Sequence, residues 1–289
     1  MEWTPGDVSR DIEDRREEGG GGGGFGFGGG GFGGIHIGIG GFLLLVVLSF
    51  VFKTNFIGLL TGGATTTPRE AVGDADRREG GDREVQFVSF VLDDVQNTWA
   101  RILPQSGTTY PHAKLVLFRD YTQSGCGTAQ TATGPFYCPE DEKVYIDLSF
   151  FDELQNRFGA PGEFAQAYVI AHEIGHHVQH LLGIEQRISR LERSDPAERN
   201  PLSVKLELQA DCLAGVWGHS TEERRLVDQA DIDRGLGAAA AVGDDRLQRM
   251  ATGHVSPESF THGSSAERQA AFGRGLESGQ MTACLGYTQ

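Results

Sequence analysis

Whatever fold this chain adopts must house one segment, Ala167 to Leu182, which reads AYVIAHEIGHHVQHLL. Tyr168, Val169, Ala171, Ile174, Val178, Leu181 and Leu182 recur at helical spacing, and Gly183 follows as a stop. That pattern predicts a buried helix, yet the helix carries His172, Glu173 and His176. Residues four apart lie one turn above each other on the same face, so both imidazoles point at one spot with Glu173 beside them. Converging neutral imidazoles suit a zinc ion, and a neighbouring carboxylate suits a metal-bound water. The bland alternative is a core helix whose histidines are merely hydrogen-bonded. Gly175, between the two histidines, leaves room for a close neighbour or a substrate backbone.

A catalytic zinc needs a third protein ligand. The metzincin spacing would put glycine and histidine where Gln179 and Leu182 stand, which excludes it. His180 lies one turn beyond His176, but three histidines along one straight helix cannot converge on a tetrahedral ion. It reads as solvated or as an outer partner. A second helical pattern, Val204 to Trp217 (VKLELQADCLAGVW), offers Glu207 and Asp211 one turn apart. Leu206, Leu208, Ala210, Leu213 and Ala214 surround the pair, where an uncompensated carboxylate is costly to bury. Glu207 is therefore expected as the third ligand. Asp211 is expected to accept the second N–H of a ligand histidine, which is the gluzincin arrangement.

The segments CG…GPFYCPEDEKVYIDLSFFDEL, HEIGHHVQ, LELQADCLAGVW, GDDRLQ and SFTHGSSAERQ follow one another in this order. Together they resemble the bacterial neutral zinc metallopeptidase family of YpfJ type, from roughly Glu84 to the C-terminus. The resemblance implies a membrane-anchored zinc peptidase with a gluzincin-like core, and no known substrate. The expected chemistry is hydrolysis of a peptide or protein by metal-activated water, with Zn2+ held by His172, His176 and Glu207 and with Glu173 as general base and then acid. His262, in FTHGSS, is the favoured partner for the tetrahedral oxyanion, ahead of His254, His219 and Tyr168. Arg268 and the Asp244-Asp245-Arg246 run read as a buried ion-pair network. The alternative function is a zinc-stabilised binding or scaffold domain without turnover at the outer membrane face. Glu173 argues against it, because a structural zinc needs no base and closes its fourth position with Cys or His.

The rest of the chain divides by composition. Residues 1–34 carry a mixed charge run, Asp7 to Glu18, and then a glycine tract broken only by phenylalanines, and are expected to be disordered. Residues 35–60 begin with IHIGIGGFLLLVVLSFVF and read as a transmembrane helix. Residues 61–83 read as a linker, and 84–289 as the metallopeptidase domain. Arg10, Arg15 and Arg16 before the apolar run and Lys53 after it leave its orientation ambiguous. All four cysteines, Cys126, Cys138, Cys212 and Cys284, follow the run, which favours an oxidising compartment for the domain and a cytoplasmic N-terminus on a single-pass protein. Cys126 with Cys138 and Cys212 with Cys284 are the expected pairs. A net charge of −15 with no basic stripe argues against nucleic acid.

The fold class expected is α+β. A helix from Val85 to Leu103 precedes strands at Lys114–Tyr121, Phe136–Tyr137 and Lys143–Leu148, then a short helix capped by Ser149. The zinc helix, a polar loop or frayed helix at Ser189–Pro201, the ligand helix and C-terminal helices (Thr221–Ala241, Asp244–Met250, Ala266–Glu277) complete a small gluzincin-like core. Either the KVYIDL or the GPFY strand is expected to receive substrate.

Overall fold

The computed structural model describes residues 1–18, 74–130 and 133–288, with side chains from Arg83 onward in the second stretch. Two compact units emerge, one formed by Met1–Gly21 with Glu79–Gln289 and the other by Gly22–Arg78. The second unit contains the expected transmembrane run and lies almost wholly outside the described residues. Among the described residues, no helix is long and apolar enough to cross a membrane.

The first unit is mixed α+β and mostly helical. Its sheet has the order β1-β2-β6-β5, with β1 (Ile12–Asp14), β2 (Lys114–Phe118), β6 (Lys143–Asp147) and β5 (Phe136–Cys138). The first three strands run parallel and β5 is antiparallel to β6. Leu115 to Phe118 and Val144 to Ile146 are continuously buried, as a parallel strand covered on both faces requires. A separate hairpin, β3 (Tyr121–Ser124) and β4 (Gly127–Gln130), follows β2. The expected strand through Tyr121 breaks at Asp120, which adopts a left-handed conformation (φ 62°).

Helix α1 (Asp74–Ile102) begins inside the expected linker and places Phe87, Val88, Val91, Leu92, Val95 and Trp99 in the main core. After β6 come α2 (Ser149–Asn156), α3 (Glu163–Leu181), α4 (Ile184–Ser194), α5 (Arg199–Glu223), α6 (Gln229–Ala241), α7 (Asp244–Thr252) and α8 (Ser265–Ser278). Ser149 does not cap α2. Asp147 takes that part, accepting the Ser149 N–H at 2.9 Å and its hydroxyl at 2.8 Å. The polar segment between the ligand helices is a formed helix, α4, anchored by buried Ile184 and Ile188. One helix was expected from Thr221 to Ala241. It is interrupted after Glu223, and Asp228 and Asp231 form a capping box that starts α6.

The expectation of a solvated N-terminal charge run holds for Asp7, Arg10, Glu17 and Glu18, which are exposed, and is overturned for the middle of the run. There the charges are matched: Glu13 meets Lys143 at 2.8 Å and Asp11 meets Lys114 at 2.8 Å. β1 pairs with β2 in register, Ile12 opposite Leu115 and Asp14 opposite Leu117. Trp3 packs on Phe87 with ring centroids 5.3 Å apart. The domain therefore does not begin at Glu84, because residues 1–18 supply its edge strand.

Both expected disulfides form. Cys126–Cys138 ties the β3–β4 hairpin to β5, and Cys212–Cys284 ties α5 to the C-terminal tail.

Candidate metal centre

Helices α3 and α5 meet almost backbone to backbone. A Cβ at Gly175 would sit 3.0 Å from the Ala210 carbonyl oxygen and 3.2 Å from its Cα, so glycine is what permits the approach. His172 and His176 flank this contact on α3, and Glu207 and Asp211 flank it on α5. The crossing therefore brings all four side chains together.

His172 Nε2 and His176 Nε2 lie 3.2 Å apart. Glu207 Oε2 is 3.2 Å from the first nitrogen, and Oε1 is 3.4 Å from the second. Ligands about 2.05 Å from a tetrahedral zinc stand about 3.3 Å from one another, so the donor set fits the ion. Among the described residues this is the one cluster of three such ligands. The tautomers are fixed from behind. Asp211 Oδ1 is 2.8 Å from His172 Nδ1, and a carboxylate can only accept, so that nitrogen carries the proton. His176 Nδ1 donates to Gln179 Oε1 at 2.8 Å. The Gln179 amide is oriented in turn by donating to Leu206 O at 2.8 Å and to Gln209 Oε1 at 3.0 Å. Both Nε2 lone pairs are thereby aimed at the shared point.

Asp211, fully buried, accepts from more than His172. Tyr168 Oη donates to Oδ1 at 2.5 Å, and Arg268 of α8 forks onto it with Nε at 2.8 Å and Nη2 at 3.0 Å. Arg268 Nη2 also donates to Tyr168 Oη at 3.2 Å and stands 3.8 Å from Glu207 Oε2. Burial alone would raise the Asp211 carboxyl, but Arg268 and His172 outweigh it and hold it below the usual range. Glu207 is likewise pushed up by burial and then carried well below its ordinary value by His176 and His172. Burial pulls His172 down, yet Asp211 and Glu207 overcome this and take it to about 10 in the metal-free protein.

Glu173 behaves differently. It is buried, at 6 % exposure, and burial raises its pKa. His172, His176, Glu207 and Arg268 all act on it electrostatically, which places it beside the cluster.

The four oxyanion candidates separate clearly. Tyr168 is committed to Asp211. His219 donates to Leu276 O at 2.7 Å, and its twelve-residue offset along α5 puts it about 18 Å of helix rise from Glu207. His254 is exposed. His262 remains: the Asp244 hydrogen bond at 3.2 Å raises its pKa, and Glu207 and Arg268 act on it through space. Its loop rests on the ligand helix, where a Cβ on Gly263 would touch Leu208 and Val204 at 3.3 Å. Asp244 holds that loop by accepting the N–H groups of Thr261, His262 and Gly263. Arg246 instead donates to Phe158 O, and Asp245 accepts from Ser265, so the expected ion-pair network reduces to Arg268 with Asp211. His180 is an outer residue, bonded to Glu185 at 3.0 Å.

Sequence reasoning passed over three supporting groups. Gln179 entered only as a mismatch to another motif, and Gln209 not at all. His177 is fully buried, linking Tyr137 Oη of β5 at 3.0 Å and Pro111 O at 2.8 Å, and so seats α3 against the sheet edge. Position marked only the first of them, since Gln179 lies one turn after His176, whereas Gln209 lies about 200° round α5 from Glu207 and faces the C-terminal tail.

The family model described as "putative neutral zinc metallopeptidase" matches residues 1–287. The uncharacterized protein YpfJ of Escherichia coli K12 is 44 % identical over 287 residues, 98 % of each chain. The uncharacterized protein Rv2575 of Mycobacterium tuberculosis H37Rv is 43 % identical over 201 residues, 66 % of each chain. No solved structure matches. With the donor set in place and the match running nearly end to end, the chain belongs to the neutral zinc metallopeptidase family.

Proposed function

We propose that the protein is a metalloendopeptidase that hydrolyses peptide bonds in an extended substrate. One observation carries this reading. Beside the three-ligand cluster sits a buried carboxylate, Glu173, which makes no hydrogen bond or ion pair with the described residues. A purely structural zinc site has no use for such a group. Zinc, when bound, supplies an acidified water and a Lewis acid for the scissile carbonyl.

The chain's own residues do the rest. His172, His176 and Glu207 would hold the metal, and Asp211 and Gln179 keep the two imidazoles in the ligating tautomer. Glu173, with its raised pKa, takes the water proton and returns it to the leaving amine. His262, oriented by Asp244, donates to the oxygen that develops negative charge. The substrate adds along β5. Among the described residues that strand is the unpaired edge of the sheet beside α3, whereas β6, the other candidate, is enclosed between β2 and β5. Two disulfides support an oxidising, extracytoplasmic compartment for the domain.

The test is Glu173→Gln. It should keep a full zinc complement and lose hydrolysis of an unfolded protein substrate by about 10²- to 10⁴-fold. Retained hydrolysis would remove Glu173 as the base.

A further inference from the structure

His177 follows the ligand His176 on α3, and consecutive helical positions are turned by about 100°. One turn of helix thus presents one imidazole to the metal cluster and the next to the sheet. His177 is fully buried, and its ring packs against those of Tyr110 and Tyr137, with centroids 5.5 and 5.4 Å away. Pro111 O can only accept, so Nε2, at 2.8 Å, carries the proton. In the neutral ring Nδ1 is then an acceptor, and the Tyr137 hydroxyl donates to it at 3.0 Å. A single imidazole therefore links the loop leading into β2, the ligand-bearing turn of α3, and β5. It takes no part in aiming its neighbour, since Gln179 fixes the His176 tautomer.

β5 is a strand in need of such a link. It is three residues long, pairing Phe136 with Tyr145, Tyr137 with Val144 and Cys138 with Lys143, and among the described residues no strand lies on its other side. Elements with so few partners open at low cost. Cys126–Cys138 fastens its end to the hairpin. Among the described residues, Tyr137 to His177 is the hydrogen bond that ties it to α3. We propose that, given substrate addition along β5, Tyr137 and His177 are positioning residues that hold this strand against the ligand-bearing turn before a peptide arrives. An extended peptide then meets an edge already in place, and binding it does not have to order the strand.

Tyr137→Phe removes the hydroxyl and keeps the ring. In the zinc-loaded full chain it should raise KM for an extended fluorogenic peptide by about 5- to 10-fold, the weight of one hydrogen bond, with kcat unchanged. Zinc affinity and the Kd of acetohydroxamate, which needs only the metal, should not move. A change in either, or an unchanged KM, overturns the proposal. In a His177→Phe background, where the acceptor is gone, Tyr137→Phe should add nothing further. A full repeat of its cost there would mean that the hydroxyl meets the substrate directly, and overturns the link through His177. If the unaltered protein binds the extended peptide without cleaving it, the peptidase reading fails alone. The same rise in peptide Kd on Tyr137→Phe then still supports the positioning role. No binding by the unaltered protein overturns both.

Discussion

Replacing Arg268 by Met tests whether the groups behind the metal ligands act as a unit. Arg268 is 4 % exposed and, among the described residues, is the cation paired with Asp211 besides the His172 imidazolium. Removing one partner of a buried ion pair costs about 3–5 kcal/mol, because the other charge stays buried without compensation. In the metal-free protein His172 is charged at neutral pH, since Asp211 and Glu207 overcome burial and hold it at about 10. That imidazolium keeps part of the compensation, so the loss in chelator should lie near 3 kcal/mol. For a domain of this size that is a melting shift of roughly 6–12 °C. With zinc bound His172 must be neutral, and the loss should approach 5 kcal/mol. The difference of about 1–2 kcal/mol is a loss in zinc affinity of about 5- to 30-fold. Its sign follows from Arg268 lowering the His172 pKa: without Arg268, protons compete better for the ligand. Urea unfolding by circular dichroism, with chelator and with zinc, gives both numbers, and competition with a chromophoric chelator checks the second. The double variant Asp211→Asn/Arg268→Met removes both charges of the pair and should lose less than the sum of the singles by more than about 1 kcal/mol. Additive losses, or equal losses with and without zinc, would refute the reasoning.

Zinc binding at pH 7 should release at least about one proton, because Asp211 and Glu207 hold His172 at about 10 against the pull of burial. Calorimetry in two buffers of different ionisation enthalpy reads that number, and affinity should rise with pH toward the His172 value of about 10. The same raised pKa stabilises the metal-free fold below about pH 6.5 and loses that contribution as pH climbs through the folded value, so metal-free and zinc-bound stability respond to pH in opposite directions. The joint change Cys212→Ser/Cys284→Ser opens a link between residues 72 apart and should cost about 4 kcal/mol in calorimetric melting. Gly175→Ala pushes a methyl to within 3.0 Å of the Ala210 carbonyl. It should cost about 1–3 kcal/mol and weaken zinc binding, because α3 and α5 separate at the point where the ligands meet.

Local periodicity carried most of what was legible. The 3.6-residue pattern of α3 and α5 was enough to place His172 and His176 on one face and to pair Glu207 with Asp211, because each relation spans one helical turn. The strands at Lys114 and Lys143 were readable from unbroken apolar runs, since parallel strands are buried on both sides. What failed was long-range. Ile12–Asp14 offers one apolar residue among charges, and its partner strand lies about a hundred residues away. Asp11 and Glu13 looked solvated because nothing nearby in sequence says that Lys114 and Lys143 will face them. Arg268 was read as part of a network with Asp244 and Asp245, which are closer in sequence. Its real partner, Asp211, is 57 residues away on another helix.

The same distinction explains how the metal centre is stabilised. Its ligands come from adjacent turns, but their orientation comes from the C-terminal third of the chain. Arg268 holds Asp211, and Asp211 holds His172. On the other side, Gln209 donates to Cys284 O at 3.1 Å and Thr288 Oγ1 at 3.0 Å, accepts from Gln179, and Gln179 holds His176. Residues beyond Gly263 thus aim His172 through one intermediary, Asp211 on α5, and His176 through two, Gln209 on α5 and Gln179 on α3. The Cys212–Cys284 bond fastens that tail one residue from Asp211. A helix bearing the two histidines therefore specifies which atoms bind the ion, while the closing of the tail onto α5 specifies where those atoms point. Metal affinity should report on tertiary closure of the whole domain more than on the motif that first suggests a metal.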